Sequence, residues 1–192
     1  MHRYRCFFLL GGLASLLGAQ RVGATSTASE LAVQRADTAA ASTESAASMA
    51  VPASLVGAWT LVRVDNVYPD GRRVELYGPH PQGLWIIDAQ GRYMMQMVRA
   101  QRAGFAANDK SKGTPEEYRA AALDSNAHYG RVSADATTLH THIEHASFPN
   151  WDGKDGSSAY RLKGNELSYV VAKPSSGAAE GAHGEVEWRR LP

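Results

Sequence analysis

The sequence predicts an all-β domain, an antiparallel up-and-down β-barrel of about eight or nine strands with one short helix. From Leu55 onward, apolar and polar residues alternate with a period of two, which is typical of strands that bury one face. The segments are short, rich in valine, isoleucine, tyrosine and tryptophan, and separated by turn residues. Most connections are short, which favours a barrel over a two-sheet sandwich with longer crossovers.

The predicted strands are bounded by residues that favour turns. Pro69-Asp70-Gly71 closes the first strand, because proline presets φ and glycine accepts a positive φ. The segment 77–83 contains two prolines that cannot donate to a sheet, so it is expected to form a rigid corner. Gly164-Asn165 suits a type II′ hairpin. The predicted strands cover residues 55–66, 73–76, 84–88, 92–98, 127–133, 138–147, 158–163 and 166–171, and a closing strand begins near Gly184.

One helix is predicted after an irregular excursion over residues 99–113. Thr114 supplies an N-cap hydroxyl, Pro115 suits the first helical position, and Glu117 completes a capping box. The helix is expected to end near Leu123. As one helix among many strands, it is interpreted as a lid or plug of the barrel.

Residues 1–24 have the organisation of a secretory signal peptide. Basic residues precede an apolar run from Cys6 to about Ala19, and small residues lead to a cleavage site after Ala24. The alternative, a membrane anchor, is disfavoured because the run is shorter than the roughly 20 apolar residues that span a bilayer. Residues 25–52 are rich in Ala, Ser and Thr and are expected to be a flexible leader. The barrel domain then covers residues 53–192, and the protein is expected to be periplasmic or secreted.

Charge and composition exclude several classes of partner. The chain has 20 lysines and arginines and 19 aspartates and glutamates, and cleavage would remove three arginines and no acid. A mature protein so close to neutrality has no electrostatic basis for binding nucleic acid or an anionic membrane surface. The sequence contains no Ser-His-Asp signature, phosphate-binding glycine loop or nucleotide motif, and no cofactor is predicted. A small molecule is the expected partner, and the oligomeric state is left open.

The stretch from Thr138 to Trp151 is the strongest candidate for a site. Alternation along its strand places His140, His142 and Glu144 on one face, which we interpret as facing into the barrel. His142 and Glu144 could then act as a base and its orienting carboxylate in proton transfer. A weaker alternative, in which all three bind Zn²⁺ with water as the fourth ligand, also remains open.

Further pocket residues are predicted around this strand. Asn150 and Trp151 could hold a carbonyl group and wall the pocket, although they could equally cap a turn and seal the barrel mouth. Gln96 would need a partner if it faced inward, and Arg99 could bind a carboxylate at the rim. Three other histidines, His80, His128 and His183, are interpreted as surface or loop residues. The predicted ligand-binding set is Trp59, Tyr93, Gln96, Arg99, Tyr129, His140, Asn150 and Trp151.

Several motifs resemble the bacterial and fungal lipocalin-like domain family. Gly57-Ala58-Trp59 is similar to the Gly-x-Trp that opens a lipocalin barrel, and Arg190 is the candidate to cover the Trp59 ring from the last strand. The resemblance implies a barrel with a pocket and leaves the reaction open, although some lipocalin-like barrels are isomerases, cyclases or lyases. The remaining matching motifs are Tyr77 to Gly83, Tyr93 to Arg102, Thr114 to Tyr118, His128-Tyr129-Gly130, His142 with Glu144, and Phe148 to Trp151.

Three functions are consistent with these features. The first is an exported protein that binds a small, largely apolar molecule in the barrel. The second is an enzyme of the isomerase, cyclase, lyase or hydratase type that uses His142 and Glu144. The third is a structural or envelope protein whose barrel is filled by its own side chains.

Overall fold

A computed structural model describes residues 50–176, 178 and 180–192. The predicted signal peptide and residues 25–49 of the predicted leader lie outside these residues. The elements in chain order are β1 (Gly57–Val67), β2 (Arg73–Glu75), β3 (Gln82–Ile87), β4 (Arg92–Val98), α1 (Pro115–Leu123), β5 (Ser125–Ala134), β6 (Thr138–Ala146), a 3-10 turn (Pro149–Trp151), β7 (Lys154–Lys163), β8 (Glu166–Val171) and β9 (His183–Arg190).

Eight of the nine strands form a closed antiparallel barrel. Strands β3 to β9 pair in sequence order, and β1 closes the barrel by pairing with both β3 and β9. The additional strand, β2, pairs with the end of β1, where Asp65 lies opposite Glu75. The all-β barrel with one short helix is therefore confirmed.

Side chains from the first and last strands seal one end of the barrel. The guanidinium carbon of Arg190 lies 4.1 Å from the centre of the Trp59 ring, which is the predicted cation-π contact. Arg190 also donates from Nη1 to the Val56 carbonyl at 2.7 Å and from Nη2 to the Ser54 carbonyl. The Trp59 indole donates to the Leu55 carbonyl at 3.0 Å. The polar groups of Trp59 and Arg190 are therefore paired with backbone carbonyls at this closed end.

The apolar core occupies the interior next to the closed end. The largest fully buried side chains include Trp59, Trp85 and Trp188, each at most 1% exposed. The Trp85 and Trp188 rings lie 5.6 Å apart between their centroids. Side chains of this size supply much of the area that an all-β domain removes from water, and aromatic pairs add stability beyond that area.

The helix begins as its capping box predicts. Thr114 Oγ1 accepts from the Glu117 backbone N–H, and the Glu117 carboxylate accepts from the Thr114 N–H at 2.8 Å. The helix ends at Leu123, and the following Asp124 forms an ion pair with Arg99 at 2.6 Å. This ion pair ties the end of β4 to the start of β5 at the open end of the barrel.

Two strand features differ from the prediction or could not be derived from it. Strand β7 begins at Lys154 rather than at residue 158, because its first residues pair with β6 despite a polar and glycine-rich composition. Strands β5 and β6 change register between Tyr129 and Gly130. At this bulge a Cβ on Gly130 would lie 2.0 Å from the His142 carbonyl oxygen, so only glycine fits.

Within the described part of the chain, no helix has the length and apolar composition needed to cross a membrane.

Candidate functional site

Strand β6 has the opposite orientation to the one expected from the sequence. Leu139 is 2% exposed and Thr141 and Ile143 are half-buried on the inner face, opposite Ala134, Val132 and Gly130 of β5. The alternating residues of β6 therefore project outward. The expectation that His140, His142 and Glu144 face into the barrel is wrong. Leu139, Thr141 and Ile143 occupy the inner face, so the period of two places His140 and His142 outside. Glu144 is the extra residue at the register shift of β6 and is exposed beside Arg131.

On the outer face, each of the two histidines pairs with a different aspartate. His142 Nδ1 lies 2.8 Å from Asp155 Oδ1, and His140 Nε2 lies 3.3 Å from Asp135 Oδ2. Backbone donors from the following turn, together with His140, lower the pKa of Asp135 to about 2. Glu144 is 3.9 Å from Arg131. The three side chains that could have bound zinc are thus engaged separately.

These histidines border an open depression of about 600 Å³ on β5, β6 and β7. Residues on its floor and walls include His140, His142, Arg131 and Asp155. Across the ranges that the structure describes, no three His, Cys, Asp or Glu side chains are grouped to hold a metal ion. This depression is therefore open, and two of the side chains that line it already have partners, Arg131 with Glu144 and His142 with Asp155.

Four other predicted ligand-binding residues also lie away from the interior. Gln96 is exposed on the outer face of β4, so it does not need the buried partner that an inward position would require. Tyr129 is 44% exposed and stacks against His145, with 5.7 Å between ring centroids. Asn150 is exposed in the 3-10 turn. Arg99 is at the rim, where it pairs with Asp124 and donates to the Leu76 carbonyl at 2.9 Å.

Three predicted residues do contribute to the interior or to its mouth. Trp59 is fully buried at the closed end. Tyr93 is 4% exposed on the inner face of β4. Trp151 is half-buried and packs edge-on against Phe148 and His128, with centroid distances of 5.6 and 5.9 Å. Trp151 therefore lies beside the inward-facing His128, at the edge of the predicted pocket.

His128 is an interior residue that the sequence interpretation missed. It lies on β5 opposite Met95, and its Nδ1 is 2.8 Å from the Tyr93 hydroxyl. Burial lowers the pKa of His128 to about 4, so its imidazole is neutral at physiological pH. The signal was present in the sequence, because Val132 and Ala134 share its face by alternation and both are apolar.

Accessible space inside the barrel lies along the wall formed by β5 to β8. Inward-facing side chains of β4 and β9, such as Met95 and Trp188, are buried. By contrast, many inward-facing side chains of β5 to β8 retain partial exposure although they lie inside a closed barrel. These half-buried side chains are Asn126, His128, Thr141, Ile143, Ser158, Tyr160, Leu162, Tyr169 and Val171. The interior is therefore filled on one side and open on the other.

The residues that form this barrel match a known family of proteins. A model of the lipocalin-like domain matches residues 56–191, which include all nine strands. The chain belongs to the lipocalin-like domain family. A solved structure that it resembles is that of a lipocalin-like protein from Bacteroides uniformis, with 11% sequence identity, a TM-score of 0.39, and coverage of 72% of this chain and 99% of that chain. A sequence comparison with curated proteins found no match.

The lipocalin-like barrel also holds two buried donors without acceptors. Within residues 50–176, 178 and 180–192, Trp85 Nε1 and Trp188 Nε1 have no hydrogen-bond partner, and the buried acceptor Asn126 Oδ1 has none either. Burial raises the pKa of the nearby Tyr169 phenol; the Trp188 indole opposes this increase, but the contact does not reach hydrogen-bond geometry. An unpaired buried N–H costs about 1–3 kcal/mol. Two such groups on adjacent rings are unusual in a core that has no other role.

Proposed function

We propose that this lipocalin-like protein is exported and binds a small, largely apolar molecule inside its barrel. The partial exposure of the inner face of β5 to β8 carries the proposal, because a barrel packed solid by its own side chains would bury that face.

The filling of the interior can be tested with neighbouring residues of β7. Ser158 is half-buried and faces inward, opposite Leu139, whereas Ala159 is exposed on the outer face. We expect the neutral probe N-phenyl-1-naphthylamine to bind wild-type protein saturably with increased fluorescence. The Ser158→Trp substitution should weaken this binding by at least about tenfold by occupying the space, and Ala159→Trp should leave it unchanged.

Circular dichroism and thermal unfolding establish that each variant is folded, and Ile143→Trp provides a second inward substitution on β6. Equal loss of probe binding in the inward and outward variants would place the probe on the surface. Binding to the wild type that does not saturate would also place the probe on the surface. Either outcome would refute the interior site and favour a structural protein with a filled barrel.

Acid-base catalysis by His142 and Glu144 receives no comparable support. Both side chains project from the outer face of β6, and His142 is half exposed beside Asp155. Proton transfer in a closed pocket requires the base within hydrogen-bond reach of the enclosed substrate. The binding function is therefore favoured by the geometry over the enzymatic alternative.

Export rests on the order of charge, apolar run and small residues in 1–24. Expression of the full chain in a secreting bacterial host should give a mature protein that begins at Thr25. Replacing Leu9 and Leu10 with arginine should leave the precursor uncleaved inside the cell. Recovery of wild-type protein with Met1 at its N-terminus in the membrane fraction would support an anchor instead.

A further inference from the structure

Tyr93 and His128 form a polar pair on the inner face of the barrel. They belong to neighbouring strands, and the Tyr93 hydroxyl is 2.8 Å from His128 Nδ1. The two rings also meet edge-on, with 5.4 Å between centroids. Trp151 also meets the imidazole edge-on, with 5.9 Å between ring centroids, so His128 contacts two aromatic side chains.

The hydrogen bond sets the tautomer of the imidazole. His128 is neutral, so one ring nitrogen carries a proton and the other accepts. A phenol donates more readily than it accepts, so the Tyr93 hydroxyl donates to Nδ1 and the proton resides on Nε2. Within the described residues, His128 Nε2 has no hydrogen-bond partner. His128 is half-buried on the inward face of β5, where a donor without a partner can bind a molecule in the interior.

The interior around this donor contains no charged side chain, although the exposed Glu144 acts on Tyr93 from β6: after burial and Tyr169, its charge helps to raise the pKa of the Tyr93 phenol. Among the inward-facing positions of the eight barrel strands, charged residues occur at the two ends alone. Arg190 lies over Trp59 at the closed end, and Lys154 is exposed at the start of β7. Burying a carboxylate or an ammonium group between these ends would require a partner of opposite charge. A neutral group meets no such penalty.

Two further donors lie in the packed core beside this pair. Trp85 packs edge-on against Tyr93, with 6.3 Å between ring centroids, and Trp188 packs against Trp85. Both indoles are at least 99% buried, and within the described chain neither N–H has an acceptor. Asn126 Oδ1 on β5 is a buried acceptor without a donor within the described chain, and the two indoles lie in the packed core. His128 Nε2–H is therefore the donor on the half-buried face of β5, and it is complementary to a neutral molecule that carries an acceptor.

We propose that the interior site selects neutral carbonyl-bearing molecules, such as ketones, esters or lactones, and that His128 anchors the carbonyl oxygen through Nε2–H while Tyr93 holds the imidazole in the required tautomer. This inference rests on the proposed binding function. His128 is a ligand-binding residue in this account, and Tyr93 is a positioning residue.

Two probes of nearly equal shape test the role of the acceptor. The ketone 2-acetylnaphthalene carries a carbonyl oxygen, and 2-isopropenylnaphthalene carries a CH₂ group in its place. Competition with N-phenyl-1-naphthylamine at neutral pH should show the ketone binding roughly tenfold more tightly than the alkene. The anion 2-naphthoate should bind more weakly than the ketone. The infrared carbonyl stretch of the bound ketone should move to lower frequency than in hexane.

Three variants assign the preference to the pair. His128→Phe should remove the preference for the ketone and the shift of its carbonyl stretch. Tyr93→Phe should reduce both, because the tautomer is no longer fixed. Tyr129→Phe is the matched control, since Tyr129 follows His128 on β5 but is exposed on the outer face. The ratio of the two affinities is compared within each variant, so a general loss of packing does not imitate the result.

The tautomer is measured directly by ¹⁵N NMR of labelled protein. His128 should show a protonated Nε2 and an unprotonated Nδ1 in the wild type, and a mixture in Tyr93→Phe. Equal affinities for ketone and alkene, or a preference that persists in His128→Phe, would overturn the proposal. So would tighter binding of 2-naphthoate. Binding of N-phenyl-1-naphthylamine without binding of the ketone would also overturn it and leave the proposed function intact.

Discussion

Acidification is expected to destabilise the barrel through His128. In the folded protein, burial holds the pKa of this imidazole at about 4, whereas its ordinary value is 6.5. The unfolded chain therefore binds a proton below pH 6.5 that the folded chain does not bind until about pH 4. Stability that depends on this neutral histidine is fully present above pH 6.5, declines as the pH falls, and stops declining below about pH 4.

The size of the effect follows from the two pKa values. Integrating the difference in bound protons predicts a loss of about 2 kcal/mol in the free energy of unfolding between pH 7 and pH 5. Carboxylates contribute in a lower range. Asp135, for example, has a pKa near 2, set first by backbone donors, so the stability that it supplies is lost only below about pH 4. The two kinds of group therefore act in separate windows.

Urea unfolding followed by tryptophan fluorescence at pH 7, 6 and 5 measures this loss. His128→Phe should abolish most of the decline over that range, even if the variant is less stable at pH 7. His80→Phe is the control, because His80 is exposed in the loop before β3 and should leave the decline unchanged. A wild type whose stability is constant from pH 7 to pH 5 would refute the assignment of a buried neutral histidine. A His128→Phe variant with the full decline would refute it equally.

Two substitutions test the closed end and the bulge. Arg190→Met removes the cation-π contact with Trp59 and the donors to two carbonyl groups, so it should lower the free energy of unfolding by about 2–4 kcal/mol in urea titrations. The control Arg189→Met, at an exposed position, should change the free energy of unfolding by less than about 0.5 kcal/mol. Equal effects of the two substitutions would show that the Arg190 guanidinium makes no specific contact. Gly130→Ala places a Cβ against backbone atoms of β6, so it should lower the midpoint of thermal unfolding or prevent folding. The control Gly104→Ala, with no atom within 4 Å of its Cβ, should do neither. A Gly130→Ala protein as stable as the wild type would contradict the register of β5 and β6.

Local patterns were sufficient to predict most of the fold. Alternation identified the strands because each one buries a single face, and the capping box at Thr114 fixed the start of the helix. The hairpin at Gly164 was predictable for the same kind of reason, since a φ of 59° favours glycine. The contact between Arg190 and Trp59 followed from the family resemblance, because the two residues are too distant in sequence for any local pattern to connect them.

The site was harder to predict, because alternation divides residues between two faces without stating which face is inside. For β6, the apolar side chains of Leu139 and Ile143 indicate that their face of the strand is buried. The prediction placed the opposite face inside because His140 and His142 could form a catalytic or metal site there. The bulge that inserts Glu144 of β6 between the partners of Tyr129 and Gly130 depends on contacts between β5 and β6, so no local sequence pattern predicts it. His128 lies on the apolar face of β5 with Val132 and Ala134, so its inward position could be predicted. Its contact with Tyr93 could not, because β4 and β5 are separated by the long segment that includes α1.

The pairing of β1 with β9 has a consequence for how the protein forms. The strand that closes the barrel is the last to leave the ribosome or the translocation channel, so β1 must wait with one edge unpaired until residues 183–190 appear. Contacts between such distant parts of the chain give slow folding, typically in milliseconds to seconds, and an open edge is exposed to other chains during that interval. The interior, with its unpaired donors, therefore becomes enclosed only in the final step of folding.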